Sequence, residues 1–231
     1  MDEMIVSSSN SSNNDHYDET KNRPCLSRYQ LLHVRMWRVA LRHAYEMLFD
    51  RGFVVPHESP SFSEEDDEKE ECGNLLQISS VDESIQWQII DHATDPGQKI
   101  LLWCFCKDKL NIESIKSLLS MMEEKRVYHG YVIFQHTITT SAKKILKNLY
   151  RFDIEIFSKE ELQYNVTRFH YYCPHFQCSA KESQKILREW TSRALPVLLS
   201  SDPVCRHFHF PKGSIIRIQR KDQKIAYRIV L

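Results

Sequence analysis

The sequence predicts an α/β N-terminal domain, a mixed sheet with helices on its faces, followed by a small α+β C-terminal domain. Residues 75–159 alternate between strand-like and helix-like apolar patterns, as expected when helices connect the strands of one sheet. Residues 195–231 carry two short apolar runs around a polar break, which is typical of a β-hairpin. A chain of 231 residues is long enough for two domains that each bury a core. The predicted ranges are a disordered tail at 1–26, the N-terminal domain at 27–162 with an acidic loop at 56–73, and the C-terminal domain at 163–231.

The chain begins with a polar tail and continues into a long helix. Residues 1–24 are rich in Ser, Asn and Asp, and such a composition buries too little apolar surface to order the chain. A helix is predicted from about Ser27 to Asp50, because apolar residues recur there every three or four positions. Gly52 is its predicted C-terminal cap. The apolar stripe of this helix consists of Val34, Trp37, Leu41, Tyr45 and Leu48.

After an acidic loop, strands and helices alternate. Seven of the eight residues from Glu64 to Glu71 are acidic, so this stretch is expected to be solvated. The unbroken apolar run from Ile100 to Cys106 is typical of a strand covered on both faces. Serine and asparagine are good helix N-caps. The other predicted elements are a half-buried strand in which Ile85, Trp87 and Ile89 alternate with polar residues, a turn at 91–98, a helix after Asn111, a strand at 131–134, a helix capped by Ser141 and a strand at 152–156.

The C-terminal domain is predicted to be a helix followed by a small antiparallel unit. The helix spans about Lys181 to Arg193. Asp202-Pro203 is predicted to start a turn, because proline fixes φ and restricts the residue before it. Gly213 is free to adopt φ > 0 where the chain reverses. Two apolar runs, at 215–218 and 225–230, then pair as a hairpin whose closing strand ends the chain.

Composition and charge exclude several classes of protein. A hydrophobic content of 42% with 27% charged residues is ordinary for a globular protein. No run of about 18 apolar residues is present, so a membrane span is not expected, and the polar start does not resemble a signal peptide. Seven scattered cysteines favour free thiols in a reducing compartment.

The charge is unevenly distributed between the two predicted domains. The net charge of the chain is zero, which argues against strong free-standing binding to nucleic acid. Residues 163–231 hold 12 Lys and Arg against 4 Asp and Glu, a net of +8, so residues 1–162 carry −8. A basic domain of this kind is suited to an acidic partner, although a solvated basic surface is the alternative.

Several cysteines and histidines are candidate metal ligands. Cys173, His175 and Cys178 lie close together in sequence, but no second ligand pair follows at zinc-finger spacing. Two further thiols, in Cys104-x-Cys106, fall inside a buried strand. His207 and His209 share one side of a strand-like stretch, where packing or surface roles are favoured over metal binding. The sequence therefore predicts buried thiols, no metal site and no cofactor.

No motif indicates catalysis. The chain lacks a nucleophile-elbow serine, a phosphate-binding glycine loop and a His-Glu-x-x-His helix. An α/β chain with Asp91 at the end of a strand admits the hypothesis of a metal-dependent nuclease. The next strand, Lys99 to Cys106, contains no acidic residue, so the second carboxylate that such chemistry needs is missing. No catalytic residue is assigned.

The C-terminal sequence resembles one family. Several of its residues match the pattern of that family at the same spacing along the chain. Among them, the closing strand reads Tyr227-Arg228-Ile229-Val230. This pattern resembles the C-terminal domain of the fifth subunit shared by the eukaryotic nuclear RNA polymerases, a domain that is similar to a small subunit of the archaeal RNA polymerase. The other matching positions are Leu195-Pro196, Asp202-Pro203-Val204, Arg206, Gly213 and Ile215-Ile216-Arg217-Ile218.

The resemblance extends into the N-terminal domain, and it includes departures. Met47 to Phe53 resembles the family's Leu-x-x-Arg-Gly-Tyr, and Thr139 to Lys143 resembles Thr-Pro-Ser-Ala-Lys. Val197 stands where the family usually has arginine. His207 replaces a tyrosine and His209 a glycine. These departures fit a divergent paralogue, including one of the plant polymerase IV or V type.

The resemblance implies a function. It implies a non-catalytic subunit of a nuclear DNA-dependent RNA polymerase, docked on the largest subunit, with the N-terminal domain forming part of the lower jaw near downstream DNA. No membrane partner is expected, and duplex DNA is contacted only within the complex. The alternative is a diverged paralogue that acts as a free-standing interaction protein or an inactive nuclease-like module. The residues implied to contact the largest subunit are Asp202, Pro203, Arg206, Gly213, Arg217 and Arg228.

One helix start is the candidate for facing DNA. Its residues are Thr140, Ser141, Lys143 and Lys144. A helix N-terminus offers free N–H groups to phosphate, and two lysines add positive charge. From these residues alone, an ordinary capped surface helix is the favoured interpretation. The resemblance implies the DNA-facing role, because the equivalent loop of the family lies near the downstream duplex.

Overall fold

The computed structural model of the chain describes residues 28–55, 86–190 and 194–231. Expectations for the tail, the acidic loop, Ile85 and residues 191–193 lie outside these residues. The helix predicted to reach about Arg193 ends earlier, at Glu189, because Trp190 already has an extended backbone. None of the described helices is both long and apolar enough to cross a lipid bilayer. We call the described residues up to Gln163 the N-terminal unit and those from Tyr164 onward the C-terminal unit.

The N-terminal unit alternates strands and helices as the sequence predicts. Its first helix ends as expected, because Gly52 adopts φ +92° directly after it. Helix α2 is capped by Asn111, whose side chain accepts a hydrogen bond from the N–H of Ser114. The elements are α1 (Arg28–Asp50), β1 (Gln86–Asp91), β2 (Lys99–Phe105), β3 (Lys109–Leu110), α2 (Ile112–Lys125), β4 (His129–Phe134), β5 (Thr137–Ile138), α3 (Thr140–Lys147) and β6 (Asp153–Ser158).

Four strands form the sheet of the N-terminal unit, in the order β1-β2-β4-β6. Strand β1 is antiparallel to β2, whereas β2, β4 and β6 are parallel. Helix α1 covers one face, where Leu102 and Cys104 of β2 are buried. Helices α2 and α3 cover the other, where Leu101 and Trp103 are buried. The unbroken apolar run of β2 is therefore explained by helices on both faces, as predicted.

The N-cap of α3 differs from the prediction. Ser141 lies within the first turn, and the cap is Thr139, whose hydroxyl accepts a hydrogen bond from the N–H of Ala142 at 3.2 Å. Thr139 has extended backbone angles, whereas Thr140 is already helical. An N-cap residue needs non-helical angles to aim its side chain at the first free N–H groups.

The C-terminal unit is built on a second sheet, in the order β7-β9-β10-β8. Strands β9 and β10 form the predicted antiparallel hairpin, and β8 pairs in parallel with β10. Gly213 has φ +82° where the chain enters this hairpin. The sheet is covered on both faces, by Cys205 of α5 on one and by Ile186 of α4 on the other. The elements are β7 (His175–Gln177), α4 (Ala180–Glu189), β8 (Val197–Leu198), α5 (Pro203–Phe208), β9 (Ile215–Gln219) and β10 (Ile225–Val230).

Two expectations for this unit are wrong. Asp202-Pro203 starts a helix rather than a turn, because the Asp202 carboxylate accepts a hydrogen bond from the N–H of Val204 at 2.8 Å and proline occupies the first helical position. His207 and His209 do not share one side of a strand-like stretch. His207 lies in α5, and His209 is the C-cap of that helix with φ +52°.

Candidate functional site: the junction between the two units

The junction begins where α1 ends. Asp50 is the last helical residue, and the positive φ of Gly52 turns the chain back toward the sheet. A Cβ on Gly52 would lie 2.7 Å from Nε2 of His92, so both backbone angle and space require glycine here. The turn leaves Arg51 between β6 and the C-terminal end of α5.

All three guanidinium nitrogens of Arg51 donate hydrogen bonds, and these bonds join the two units. Nη1 and Nη2 donate to the two carboxylate oxygens of Glu155 at 2.6 and 3.0 Å. Nε donates to the carbonyl of His207 at 2.7 Å, and Nη2 also donates to the carbonyl of Arg206. Carbonyls at the end of a helix lack intrahelical partners and carry partial negative charge. Arg51 therefore satisfies the end of α5 while it neutralises a carboxylate of the other unit.

Glu155 is the acceptor at the centre of the junction. Its side chain is 11% exposed and that of Arg51 is 5% exposed. Burial opposes ionisation of Glu155, but hydrogen bonds from His129 and His209 and the charge of Arg51 outweigh it, so the pKa lies well below its usual range. The carboxylate is therefore ionised in the folded chain. We call Arg51, His129, Asp153, Glu155 and His209 the junction cluster.

His209 belongs to the cluster because of its backbone conformation. At the C-cap of α5 it occupies the left-handed region, which favours glycine, the residue that the resemblance leads us to expect here. Its Nε2 lies 2.9 Å from the Asp153 carboxylate and its Nδ1 lies 3.1 Å from that of Glu155. Hydrogen bonds to Asp153 and Glu155 raise the pKa of His209 to about 9. The hydrogen bond from His209 in turn lowers the pKa of Asp153.

His207 makes a second contact between α5 and α1. Its ring is 2% exposed, and Nε2 lies 2.8 Å from a carboxylate oxygen of Asp50. Burial lowers the pKa of His207, which favours the neutral ring. Since an ionised carboxylate only accepts, Nε2 carries the proton and donates it to Asp50.

Arg206 also lies against the N-terminal unit. Its guanidinium donates to Glu161 at 2.9 Å and to the carbonyl of Ile156. The same group lies over the ring of Phe157, 4.1 Å from the centroid. These contacts occupy the side chain within the chain. Its assignment to the largest subunit therefore stays a prediction.

A groove of about 980 Å³ runs along the junction. Lys143 of α3 and Lys212 of the C-terminal unit border it. Asp153, Glu155 and His209 of the junction cluster line it as well. The cluster is therefore accessible to solvent and ions from the groove, even though Glu155 itself is nearly buried.

The four residues predicted to face DNA lie together at the start of α3. Thr140, Ser141, Lys143 and Lys144 form its first turns, and both lysines are exposed. Helix α3 is only eight residues long, and Lys147 adds a third basic residue in its last turn. The arrangement provides positive charge next to a helix N-terminus, which suits phosphate. Their contact with DNA stays a prediction.

The residues predicted to contact the largest subunit divide between those that shape the fold and partly exposed arginines. Asp202 caps α5 and Pro203 begins it, while Gly213 supplies a positive φ. Arg217 is stacked over Phe176, 5.4 Å from the ring centroid, and its guanidinium lies 3.8 Å from Glu182. Arg228 donates to the carbonyl of Val197 at 3.3 Å. Arg217 and Arg228 point to opposite faces of the sheet, because Arg217 pairs with Tyr227 and Arg228 with Ile216.

Sequence reasoning misses two features. Exposed aromatic residues surround the edge strand β7: Phe169 is 60%, Tyr171 75% and Phe176 46% exposed. Arg51, which links the units, is not among the site residues that the sequence predicts. The sequence feature that could have identified Arg51 is its position in the Arg-Gly pair of the motif at 47–53. Its partners lie 104 to 156 residues away in sequence, as the contacts with Glu155 and His207 show.

Comparisons with known proteins bear directly on the C-terminal unit. Residues 164–230 match the family model for the C-terminal domain of the RNA polymerase subunit Rpb5. The chain carries an Rpb5-type C-terminal domain. The resemblance predicted from the sequence is thereby confirmed, and the matched range covers the whole C-terminal sheet with α4 and α5.

Similarity to Rpb5-type proteins extends over most of the chain. RPABC1 of Caenorhabditis briggsae, named as a subunit of DNA-directed RNA polymerases I, II and III, is 24% identical over 213 residues, 85% of this chain and 96% of the relative. DNA-directed RNA polymerase V subunit 5A of Arabidopsis thaliana is 23% identical over 92% of this chain and 97% of its own length. A polymerase subunit 5-like protein of the same plant is 23% identical over 82% of this chain and 90% of the relative.

Proposed function

We propose that the chain is a non-catalytic subunit of a nuclear DNA-dependent RNA polymerase. The observation that carries this proposal is the Rpb5 match over residues 164–230, joined to near full-length similarity with polymerase subunits. The relatives are subunits of DNA-directed RNA polymerases by name. A role within the polymerase complex, rather than as a stand-alone enzyme, follows from that similarity.

The C-terminal unit docks on the largest subunit. The net charge of +8 carried by residues 163–231 suits an acidic surface. Exposed Phe169, Tyr171 and Phe176 lie on or beside the edge strand β7, and exposed aromatic residues are enriched at protein interfaces. Arg217 is stacked over Phe176, so charge and aromatic surface coincide at this edge. The C-terminal unit is therefore the assembly domain in this proposal, covering 163–231.

The N-terminal unit forms part of the lower jaw. Exposed Lys143, Lys144 and Lys147 on α3 provide the few phosphate contacts that such a position needs. Few contacts suffice, because other parts of the assembled polymerase hold the DNA at high effective concentration. Duplex DNA is a partner only within that complex, in the nucleus.

Affinity purification of the tagged full chain from its native cells, followed by mass spectrometry, tests the proposal. We expect stoichiometric recovery of a largest polymerase subunit. The variant Arg217→Glu is expected to reduce that recovery about tenfold, because a reversed charge beside Phe176 opposes an acidic surface. Lys116→Glu, an exposed position of α2, is the matched control and leaves recovery unchanged.

The same experiment separates the alternatives. Recovery of the chain alone, at the size of a monomer, would contradict the polymerase role and favour a free-standing interaction protein. The identity of the largest subunit recovered distinguishes a shared subunit from one specific to polymerase V, the class of the Arabidopsis relative. Equal recovery of Arg217→Glu and the unchanged protein would contradict the assignment of the docking surface to the β7 edge.

A second variant tests the DNA-facing surface. Lys143→Glu/Lys144→Glu removes two positive charges and adds two negative ones at the start of α3, without touching the buried Ala142. We expect normal recovery with the polymerase, but a severalfold loss of photo-crosslinks between this subunit and downstream DNA. Undiminished crosslinks in the assembled enzyme would show that α3 does not face the duplex.

A further inference from the structure

Two imidazoles and a carboxylate meet at the edge of the groove. His129 begins β4, Asp153 begins β6 and His209 caps α5. Each offers one ligand atom, and these atoms lie within 4.8 Å of one another. The parallel register pairs His129 directly with Asp153, so the sheet itself places two of the three. The left-handed C-cap of α5 brings the third from the other unit.

Two carboxylates already orient the ring of His209. Nδ1 of His209 lies 3.1 Å from Glu155, so that Nε2 is directed toward Asp153 at 2.9 Å. Histidines that bind metals usually donate their other ring nitrogen to a carboxylate, which fixes tautomer and ring orientation. Glu155 is itself held by two hydrogen bonds from Arg51. Glu155 thus acts as a positioning residue rather than a ligand.

We propose that His129, Asp153 and His209 bind one divalent transition-metal ion of the zinc class. Two imidazole nitrogens with one carboxylate oxygen suit zinc, whereas calcium and magnesium prefer sites made only of oxygen. Metal binding releases to solvent the proton that Nε2 of His209 otherwise donates to Asp153, because a ligating nitrogen must be unprotonated. The fourth position is left to water from the groove. Bonds of about 2.0–2.1 Å in tetrahedral array place ligand atoms about 3.4 Å apart. Reaching this spacing needs small side-chain shifts, since Nε2 of His209 and the Asp153 carboxylate must separate from 2.9 Å while more distant ligand atoms, within 4.8 Å of one another, move closer. Such shifts are possible because the side chains of His209 and Asp153 are 38% and 62% exposed.

The ion would cross-link the two units. Two ligands belong to the N-terminal sheet, and His209 belongs to the helix that Arg51 and His207 hold against α1. Metal binding at a site present only in the folded chain stabilises that fold.

The test uses the full chain freed of metal by a chelator and then titrated with Co²⁺ or Zn²⁺ alone. We expect one Co²⁺ per chain, with the visible absorption of a four-coordinate ion and without a thiolate charge-transfer band. We also expect an upward shift of the thermal midpoint with Zn²⁺. His129→Asn and Asp153→Asn are each expected to weaken metal binding more than about 100-fold. Replacing a residue that only hydrogen-bonds to a metal ligand already lowers metal affinity about 10–100-fold, and these two variants remove ligands.

His136→Asn is the matched control. His136 is an exposed histidine 3.9 Å from the Asp108 carboxylate, and it lies outside the candidate cluster. Binding by this variant should equal that of the unchanged chain. If His129→Asn fails to fold, as judged by circular dichroism without metal, the metal affinity of Asp153→Asn tests the proposal instead. The Asp153 side chain is 62% exposed, so its replacement is expected to leave the fold intact. Non-stoichiometric binding, a thiolate band, or undiminished binding by Asp153→Asn would each overturn the proposal.

Discussion

Replacing Arg51 is expected to destabilise the chain strongly. Arg51→Met keeps most of the apolar stem but removes two hydrogen bonds to Glu155 and two to carbonyls at the end of α5. Glu155, whose side chain is 11% exposed, would then be a buried carboxylate without its main cation. Breaking a buried pair by removing one partner costs about 3–5 kcal/mol. Because the imidazoles of His129 and His209 remain, we expect a loss at the lower end of that range, about 3 kcal/mol in the free energy of unfolding.

Urea denaturation of the full chain measures this loss, and an exposed arginine is the control. Arg151 is 64% exposed and lies 3.5 Å from Glu123, so Arg151→Met should lower the free energy of unfolding much less than Arg51→Met does. Adding Glu155→Gln to Arg51→Met should recover part of the loss, because a neutral amide is cheaper to bury than an unpaired carboxylate. A loss for Arg51→Met no larger than that for Arg151→Met would refute the reasoning.

Two further predictions concern local structure, and both are measured by urea denaturation. Thr139→Ala should lower the free energy of unfolding by about 1 kcal/mol, because Thr139 is the N-cap of α3. Ser141→Ala should change it little. A larger loss for Ser141→Ala than for Thr139→Ala would make Ser141 the cap. Gly213→Ala should cost about 1 kcal/mol from its positive φ alone, since its Cβ would meet nothing within 4 Å. Gly52→Ala should cost more, because its Cβ would also lie 2.7 Å from His92. Equal losses for the two glycine variants would contradict the steric part of this argument.

Several elements could be predicted because their signals are local. The apolar stripe of α1, the unbroken run of β2 and the hairpin of β9 and β10 each depend on residues a few positions apart. The positive φ of Gly213 is likewise a property of one residue and its neighbours. The predicted cap of α3 lies two residues late, because Thr139 and Ser141 are both good N-caps. Only the backbone angles, extended at Thr139, distinguish them.

By itself, the sequence determined the α/β alternation, the uneven charge and the Rpb5-like pattern of the C-terminal domain, which the family match at 164–230 confirms. Only the tertiary structure brought Arg51 to Glu155 and to the end of α5, and His209 to Asp153 and His129. The contacts of His209 with Asp153 and of Arg51 with His207 join residues 56 and 156 positions apart. No local periodicity encodes such pairs, because they depend on how α1, β6 and α5 pack. The chemistry of the junction therefore belongs to the packing of the two units, whereas the elements that carry it are encoded locally.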